Sequence, residues 1–165
     1  DKVTTGAPHF VELAHHQPSN LSVEIQNKIK VETSKCINAL EINYGASHSE
    51  FKITPDGEVF VIEVGARMGG DFIGSHLVEL STGYDFLQGV INISLGKYEA
   101  PILESNNFSG VYFLCKETEH ILPYFSQENN FVIQKEIQNS NLKNITNSND
   151  RSGYLIYQAN KRIQL

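Results

Sequence analysis

Two glutamates at matching positions of a predicted β-hairpin are the residues whose types and spacing most clearly favour chemistry. Residues 49–54 and 59–64 alternate polar and apolar side chains, and the Pro-Asp-Gly-Glu between them is typical of a tight turn. If residues 56–57 form the centre of that turn, Glu50 lies directly opposite Glu63, with β-carbons about 4.5–5.5 Å apart. Two facing carboxylates repel each other, and Mg²⁺, which takes one or two carboxylates as ligands, would offset that repulsion. The pair therefore predicts a metal site at Glu50 and Glu63.

The same pair has a second interpretation in which it binds nothing. Two solvated carboxylates across a strand pair repel by only about a few tenths of a kcal/mol, and Lys52 offers a local positive charge. The register also depends on the turn, because a slip of one residue would send one glutamate to the opposite face. In the predicted register that opposite face is the core side, and it carries Phe51, Ile53, Phe60 and Ile62.

An arginine and a glycine pair follow the second strand of the hairpin. Arg67 lies four residues after Glu63, and Gly69 and Gly70 come next. Glycines let the backbone approach a ligand closely, and a helix that begins near Asp71 would present free N–H groups to an anion. An arginine at this place can bind a carboxylate or a phosphoryl group through two parallel hydrogen bonds. The alternative is that Arg67 pairs with a surface acid and the glycines only turn the chain.

Helices on both sides of the hairpin are expected to hold these residues in place. Ser22 is a typical N-cap for a helix whose apolar residues recur at helical spacing, and Gly45 is expected to end that helix. After the glycine pair, the sequence predicts a helix over residues 71–81, ended by Gly83, and another that Asp85 caps.

The pattern and composition of the sequence change after residue 100. Short strand-like runs at residues 111–115, 131–133 and 154–157 are separated by loops rich in Asn and Ser. We therefore predict an α+β fold in two parts. Residues 1–100 form an antiparallel sheet with packed helices, and residues 101–165 form a small β-rich C-terminal subdomain.

Charge and composition exclude some classes of partner. The formal net charge is −6 and no basic stripe is present, which argues against a nucleic-acid partner. The sequence has no run of 18 apolar residues, so we expect no membrane span. The two cysteines, Cys36 and Cys115, have no metal-ligand spacing and are typical of small buried side chains in a reducing compartment. We therefore predict a cytoplasmic protein.

Two segments resemble the last part of the ATP-grasp domain. They are Gly-Ala-Ser-His-Ser-Glu at residues 45–50 and Ile-Glu-Val-Gly-Ala-Arg-Met-Gly-Gly at residues 62–70. The resemblance is closest to the carboxylate–amine ligase branch, which includes bacterial L-amino acid ligases. It extends more distantly to biotin carboxylase and the carbamoyl-phosphate synthase large subunit. It covers roughly residues 2–96 and, more weakly, residues 147–154, and it implies the C-terminal lobe of an ATP-grasp domain.

The resemblance also implies roles for individual residues. Glu50 and Glu63 would be the ligands of Mg²⁺, with Mn²⁺ as an alternative, at the phosphates of ATP. Arg67 would be the catalytic residue that holds the acyl phosphate or the substrate carboxylate. The remaining assignments are Lys52 near the nucleotide and Gly69, Gly70 and His48 near the substrate. A solvated Lys52 and a structural His48 are the alternatives.

The implied reaction is an ATP-dependent ligation. A small carboxylate would be activated as an acyl phosphate and then attacked by an amine, for which an amino acid is one candidate. Because related ligases are often dimers, a homodimer is also an expectation of the resemblance.

Two departures from the family pattern lead to further expectations. Many members have Asn two residues after the second glutamate, where this chain has Gly65. The chain begins with Asp1 and its only methionine is Met68, so we expect a fragment without the first lobe, inactive on its own. The alternative functions are a catalytically inactive nucleotide-binding module of this fold and a purely structural module.

Overall fold

The strands form one five-stranded sheet and one separate hairpin. The computed structural model describes all 165 residues, Asp1–Leu165. In chain order the strands are β1 (Lys2–Thr4), β2 (Glu12–Gln17), β3 (His48–Ile53), β4 (Val59–Gly65), β5 (Phe108–Leu114), β6 (Val132–Ile137) and β7 (Gly153–Ala159). The large sheet has the order β1-β2-β5-β7-β6 with all neighbours antiparallel, and β3 with β4 forms the second sheet. The predicted α+β class is confirmed.

Four α-helices and three shorter helical turns connect the strands. The α-helices are α1 (Val23–Ala39), α2 (Val78–Thr82), α3 (Phe86–Ser94) and α4 (Pro123–Ser126). A π-helical turn covers Ile73–Leu77, and 3₁₀ turns cover Glu119–Ile121 and Ser148–Asp150. None of the helices combines the length and the apolar character that a membrane crossing requires.

The large sheet joins the two predicted parts of the chain. Strand β2 pairs with β5, so that His15 lies opposite Val111 and His16 lies opposite Gly110. Residues 101–165 therefore supply three strands of a sheet whose other two strands come from residues 2–17. The division near residue 100 does not coincide with a boundary between sheets, because the pairing of β2 with β5 joins segments that are distant in sequence.

The core surrounds the two central strands of this sheet. Successive side chains of a strand point to opposite faces, and both faces of β5 and β7 are covered. One face buries Tyr112, Leu114, Leu155 and Tyr157, and the other buries Val111, Phe113, Tyr154 and Ile156. Leu77 from the π-helical turn packs on the second face and is fully buried. The two central strands are thus packed on both faces.

The predicted caps of α1 and α3 are confirmed. The side chain of Ser22 accepts a hydrogen bond from the Ile25 amide at 3.3 Å, and that of Asp85 accepts one from the Gln88 amide at 2.8 Å. Gly83 ends α2 with φ of 77°, in the left-handed region that favours glycine.

The predicted end of α1 is wrong. The helix ends at Ala39, not near Gly45, because Glu41 adopts a left-handed conformation with φ of 54°. The amide of Ile42 then donates to the Ile37 carbonyl at 3.0 Å. This is the hydrogen bond of a Schellman motif, which normally places glycine at the left-handed position.

The helix predicted over residues 71–81 also begins differently. Asp71 and Phe72 have φ of 50° and 64°, so regular helix cannot start there. The π-helical turn follows, and α2 begins only at Val78.

Candidate functional site

Glu50 and Glu63 are cross-strand partners in the hairpin, as predicted. The loop itself has three residues, 55–57, and not the predicted two, since the amide of Thr54 donates to the Glu58 carbonyl at 3.0 Å and the amide of Gly57 donates to the Thr54 carbonyl at 2.9 Å. The register that starts from this loop pairs Phe51 with Val61 and would by itself place Glu50 opposite Ile62. A β-bulge beside Glu50 adds one residue to β4 and brings Glu63 back into register.

The predicted apolar face does not form as one face, because Phe51 pairs with Val61 and Lys52 pairs with Phe60. On β4, Phe60 is 56% exposed and Ile62 is 64% exposed, so the prediction of a buried face is wrong for this strand. On β3, Phe51 and Ile53 are half-buried. The error arises because the register differs from the predicted one by one residue, which moves Phe60 to the face of Lys52.

Each glutamate of the pair already has a cationic partner in the protein. The Nζ of Lys2 donates to Glu50 at 2.6 Å, and the Nε2 of His48 lies 3.4 Å from the other oxygen of Glu50. The hydrogen bond from Lys2 holds the pKa of Glu50 below its usual value, although burial opposes this. Glu63 accepts a hydrogen bond from Arg67 at 3.3 Å. Protein cations therefore offset part of the repulsion that was the basis for predicting a metal.

The chemistry of the pair still fits a hard divalent cation. This chain holds no group of three or more His, Cys, Asp or Glu side chains that could bind a metal. Mg²⁺ needs no such group, because it keeps waters and takes phosphate oxygens beside one or two carboxylates. The side chain of Glu63 is 55% exposed and is accessible to such a ligand.

A cleft of about 790 Å³ lies where the loop after β4 meets the segment before β7. Arg67, Gly69 and Gly70 line it together. A Cβ on Gly70 would have no heavy atom within 4 Å, so this glycine faces open space. A Cβ on Gly69 would come within 3.0 Å of the His48 ring and 3.1 Å of Ile73. A side chain at position 69 would thus displace His48 or Ile73 by a few tenths of an ångström, and His48 packs against this glycine.

The other predicted site residues lie outside this cleft. Glu50 and His48 line a second cavity of about 290 Å³, to which β2, α1 and the hairpin contribute residues. Lys52 is exposed on β3, opposite Phe60. The structure therefore separates the predicted residues into a group around Glu50 and a group around Arg67, and Glu63 links them through its ion pair with Arg67.

An ion pair that sequence reasoning missed forms one wall of the large cleft. Arg151 donates to both carboxylate oxygens of Asp71, at 2.8 Å and 3.0 Å, and its guanidinium carbon lies 3.6 Å from the centre of the Phe113 ring. The same guanidinium contacts the Glu12 carbonyl at 3.0 Å, and His15 lies 3.0 Å from Asp71. Asp71 and Arg151 are 80 residues apart, so no local pattern connects them.

The partners of Asp71 keep it charged. Burial raises the pKa of this carboxyl, but the hydrogen bonds from His15 and Arg151 outweigh it, and the pKa lies well below its usual range. Asp71 is thus a half-buried carboxylate that stays negatively charged because it accepts several charge-assisted hydrogen bonds.

Comparisons with known proteins agree with this architecture. The fold is similar to phosphoribosylglycinamide synthetase from Anaerococcus prevotii, with a TM-score of 0.77, 18% identity, and coverage of 97% of this chain and 43% of that one. It is also similar to L-amino acid ligase from Bacillus licheniformis, with a TM-score of 0.71, 22% identity, and coverage of 93% and 40%. At these low sequence identities, the structural similarity shows that the fold is shared.

A relative is also found by sequence. Carnosine synthase 1 from Gallus gallus is 28% identical over 125 residues, which cover 73% of this chain and 13% of that protein. The chain thus spans about an eighth of this relative and less than half of the two similar structures.

A family model matches the first 75 residues of the chain. Residues 1–75 match the model described as the ATP-grasp domain. The matched segment contains β1 to β4, both hairpin glutamates, Arg67 and the glycine pair. Residues 1–75 are therefore similar to the ATP-grasp domain, in agreement with the family resemblance of the sequence.

Proposed function

We propose that this chain supplies the metal-binding and substrate-binding side of an ATP-dependent carboxylate–amine ligase. The observation that carries the proposal is the order of groups along one short segment. A cross-strand carboxylate pair is followed by Arg67 and by a glycine that opens into a cleft of about 790 Å³. The activity is proposed for a longer protein, since the similar structures are more than twice as long as this chain.

The chemistry has two steps, and the cleft residues act on charge and position. An oxygen of the substrate carboxylate attacks the γ-phosphorus of ATP, and ADP leaves. The amine nitrogen of the second substrate then attacks the carbonyl carbon of the acyl phosphate, loses a proton, and inorganic phosphate leaves. Arg67 binds the negative oxygens of the transferring group, and the open backbone at Gly70 lets the substrate approach the loop.

Glu50 and Glu63 would hold magnesium, with manganese as an alternative. The ion supplies neutralisation of the phosphate charge, which lowers the barrier to attack by an anionic carboxylate. For metal binding, the contacts of Lys2 with Glu50 and of Arg67 with Glu63 would have to loosen or be shared with the ion. The exposure of Glu63 supports this, because exposed ion pairs contribute little free energy.

Removal of one carboxylate charge tests the proposal. In the full-length protein, we expect Glu63→Gln to lower ATP-dependent ligation by at least about 100-fold, because the ion loses a charged ligand while the side-chain shape is kept. Amine-dependent phosphate release with a panel of amino acids is the measurement, and the melting temperature should stay unchanged. Glu58→Gln, at an exposed site beside the same turn, is the control and should keep full activity. Turnover equal to wild type in Glu63→Gln would remove the metal assignment.

A second candidate is a catalytically inactive, nucleotide-binding or structural module of the same fold. The ion pairs of Lys2 with Glu50 and of Arg67 with Glu63 favour it, since they offset the carboxylate repulsion without a metal. Gly65, where many relatives have Asn, is a further argument for it. Full-length wild-type protein that binds ATP but releases no phosphate with any amino acid would support this candidate over the ligase.

Cellular context follows from the same proposal. Both cysteines are free, and Cys115 is buried, which fits the reducing conditions of the cytoplasm. A homodimer is proposed by analogy with the family alone.

A further inference from the structure

We propose that the Asp71–Arg151 ion pair is a positioning element that fixes the glycine loop, and with it Arg67, relative to the hairpin carboxylates. The inference rests on the proposed ligase function for its kinetic readout. Its structural readout stands independently of that function.

The first argument is the number of elements that converge on Arg151. This side chain is only 11% exposed. It lies between the 3₁₀ turn Ser148–Asp150 and β7, and its guanidinium holds Asp71 with two hydrogen bonds. The same group covers the ring of Phe113 on β5 and donates to Glu12 on β2. Two neighbouring strands of the large sheet, β2 and β5, and the segment before β7 therefore contribute to the place where Asp71 is held.

The second argument is the backbone that follows the glycine pair. Asp71 and Phe72 both adopt left-handed conformations, with φ of 50° and 64°. Consecutive non-glycine residues in this region are rare and persist where surrounding contacts determine them. The ion pair holds Asp71, and the Phe72 ring packs 4.4 Å, centre to centre, from the Tyr154 ring on β7. The loop conformation thus depends on contacts to the large sheet.

The third argument is the separation of the two sheets. The hairpin that carries Glu50 and Glu63 has no strand paired with the large sheet, and Arg67 belongs to the loop that leaves it. Asp71 is four residues from Arg67, so its anchor limits where the Arg67 backbone can lie. All three residues of this link, Arg67, Asp71 and Arg151, line the same cleft.

The bidentate geometry makes the pair sensitive to a small change. Lysine keeps the positive charge of Arg151 but offers one ammonium group, which cannot bind both oxygens of Asp71 and cover the Phe113 ring in the same way. In the full-length protein, we expect Arg151→Lys to lower kcat by about 10- to 100-fold, because a displacement near 1 Å at a reacting group has an effect of this size. The Kd for ATP should change by less than about threefold, since the pair has no assigned nucleotide contact.

Two further readouts separate positioning from a general loss of stability. Added guanidinium should restore part of the kcat of Arg151→Ala, because the small cation can occupy the vacated place beside Asp71. Hydrogen exchange of the amides of residues 69–73 should become faster in Arg151→Lys, while exchange in residues 48–64 stays as in wild type. Arg162→Lys is the control, since Arg162 is similarly buried but binds Asp1 and Pro18 instead.

The outcomes for this proposal and for the ligase proposal are distinct. Unchanged exchange of residues 69–73 in Arg151→Lys would overturn the positioning role, whether or not the protein is a ligase. Faster exchange together with wild-type kcat would also overturn it. Absence of turnover in wild type would contradict only the ligase function, and the exchange experiment would still decide the positioning role. If Arg151→Lys does not fold, Asp71→Asn, which keeps the side-chain shape, is used with the same criteria.

Discussion

Gly110 illustrates how closely the strands of the large sheet approach one another at the scale of single residues. It lies on β5, between His16 on β2 and Tyr157 on β7. A Cβ at this position would be 2.4 Å from a ring carbon of Tyr157 and 2.6 Å from the His15 carbonyl oxygen. The ring is fully buried and the carbonyl belongs to a paired strand, so neither can move without loss of packing or hydrogen bonds.

This contact predicts a large effect of one added methyl group. We expect Gly110→Ala to lower the free energy of unfolding by about 1–3 kcal/mol or more, as overpacked core substitutions do. Gly70→Ala is the matched control, because a Cβ there meets nothing within 4 Å, and its effect should stay within about 0.5 kcal/mol. Urea denaturation of both variants gives the comparison. Equal stability of the two would show that the sheet relaxes around the new group.

At the scale of elements, α1 has a standard beginning and an unusual end. Ser22 caps its N-terminus, but the left-handed position after its C-terminus is occupied by Glu41 with φ of 54°. A left-handed conformation is unfavourable for a residue with a Cβ and is available to glycine at no steric cost. The helix therefore ends through hydrogen bonds that hold Glu41 against its own preference.

A substitution at this position should stabilise the protein. We expect Glu41→Gly to raise the free energy of unfolding by about 0.5–1 kcal/mol, because relief of the left-handed strain exceeds the extra entropy of glycine in the unfolded chain. Glu41→Ala keeps the Cβ and should give no such gain. Chemical denaturation of the two variants is the test. A destabilised Glu41→Gly would mean that side-chain contacts of Glu41, and not its backbone, decide the helix end.

The elements also show why some features could be predicted from sequence and others could not. The caps at Ser22 and Asp85 rest on neighbouring residues and are predicted correctly, whereas Glu50 faces Glu63 only because a bulge offsets the error in the predicted turn. The bulge in β4 and the left-handed conformation of Glu41 have no residue in the sequence that signals them, since a glycine is absent from both positions. The Asp71–Arg151 pair and the pairing of β2 with β5 join segments far apart in sequence, and a single sequence carries no signal for them.

At the scale of the whole molecule, one titratable side chain is buried against the large sheet. His16 on β2 is 5% exposed, its Nδ1 lies 2.9 Å from the Tyr157 hydroxyl, and its ring packs edge-on against Tyr112. Burial lowers the pKa of His16 to about 4, and the charge of Arg162 acts in the same direction. In the unfolded chain the same imidazole titrates near its usual value of about 6.5.

This difference predicts how the stability of the whole fold depends on pH. Between about pH 6.5 and pH 4 the unfolded chain binds a proton at His16 that the folded chain does not, so stability falls as the pH is lowered through this window. The amide of Asn in His16→Asn can still contact Tyr157. When the pH is lowered from 7 to 5, we expect the free energy of unfolding of this variant to fall by roughly 1–2 kcal/mol less than that of wild type. His120→Asn, at an exposed position, should leave the wild-type dependence unchanged. The free energies of unfolding are measured by denaturation at both pH values. An equal decrease in His16→Asn and wild type would contradict the assignment, because the proton uptake would then belong to another group.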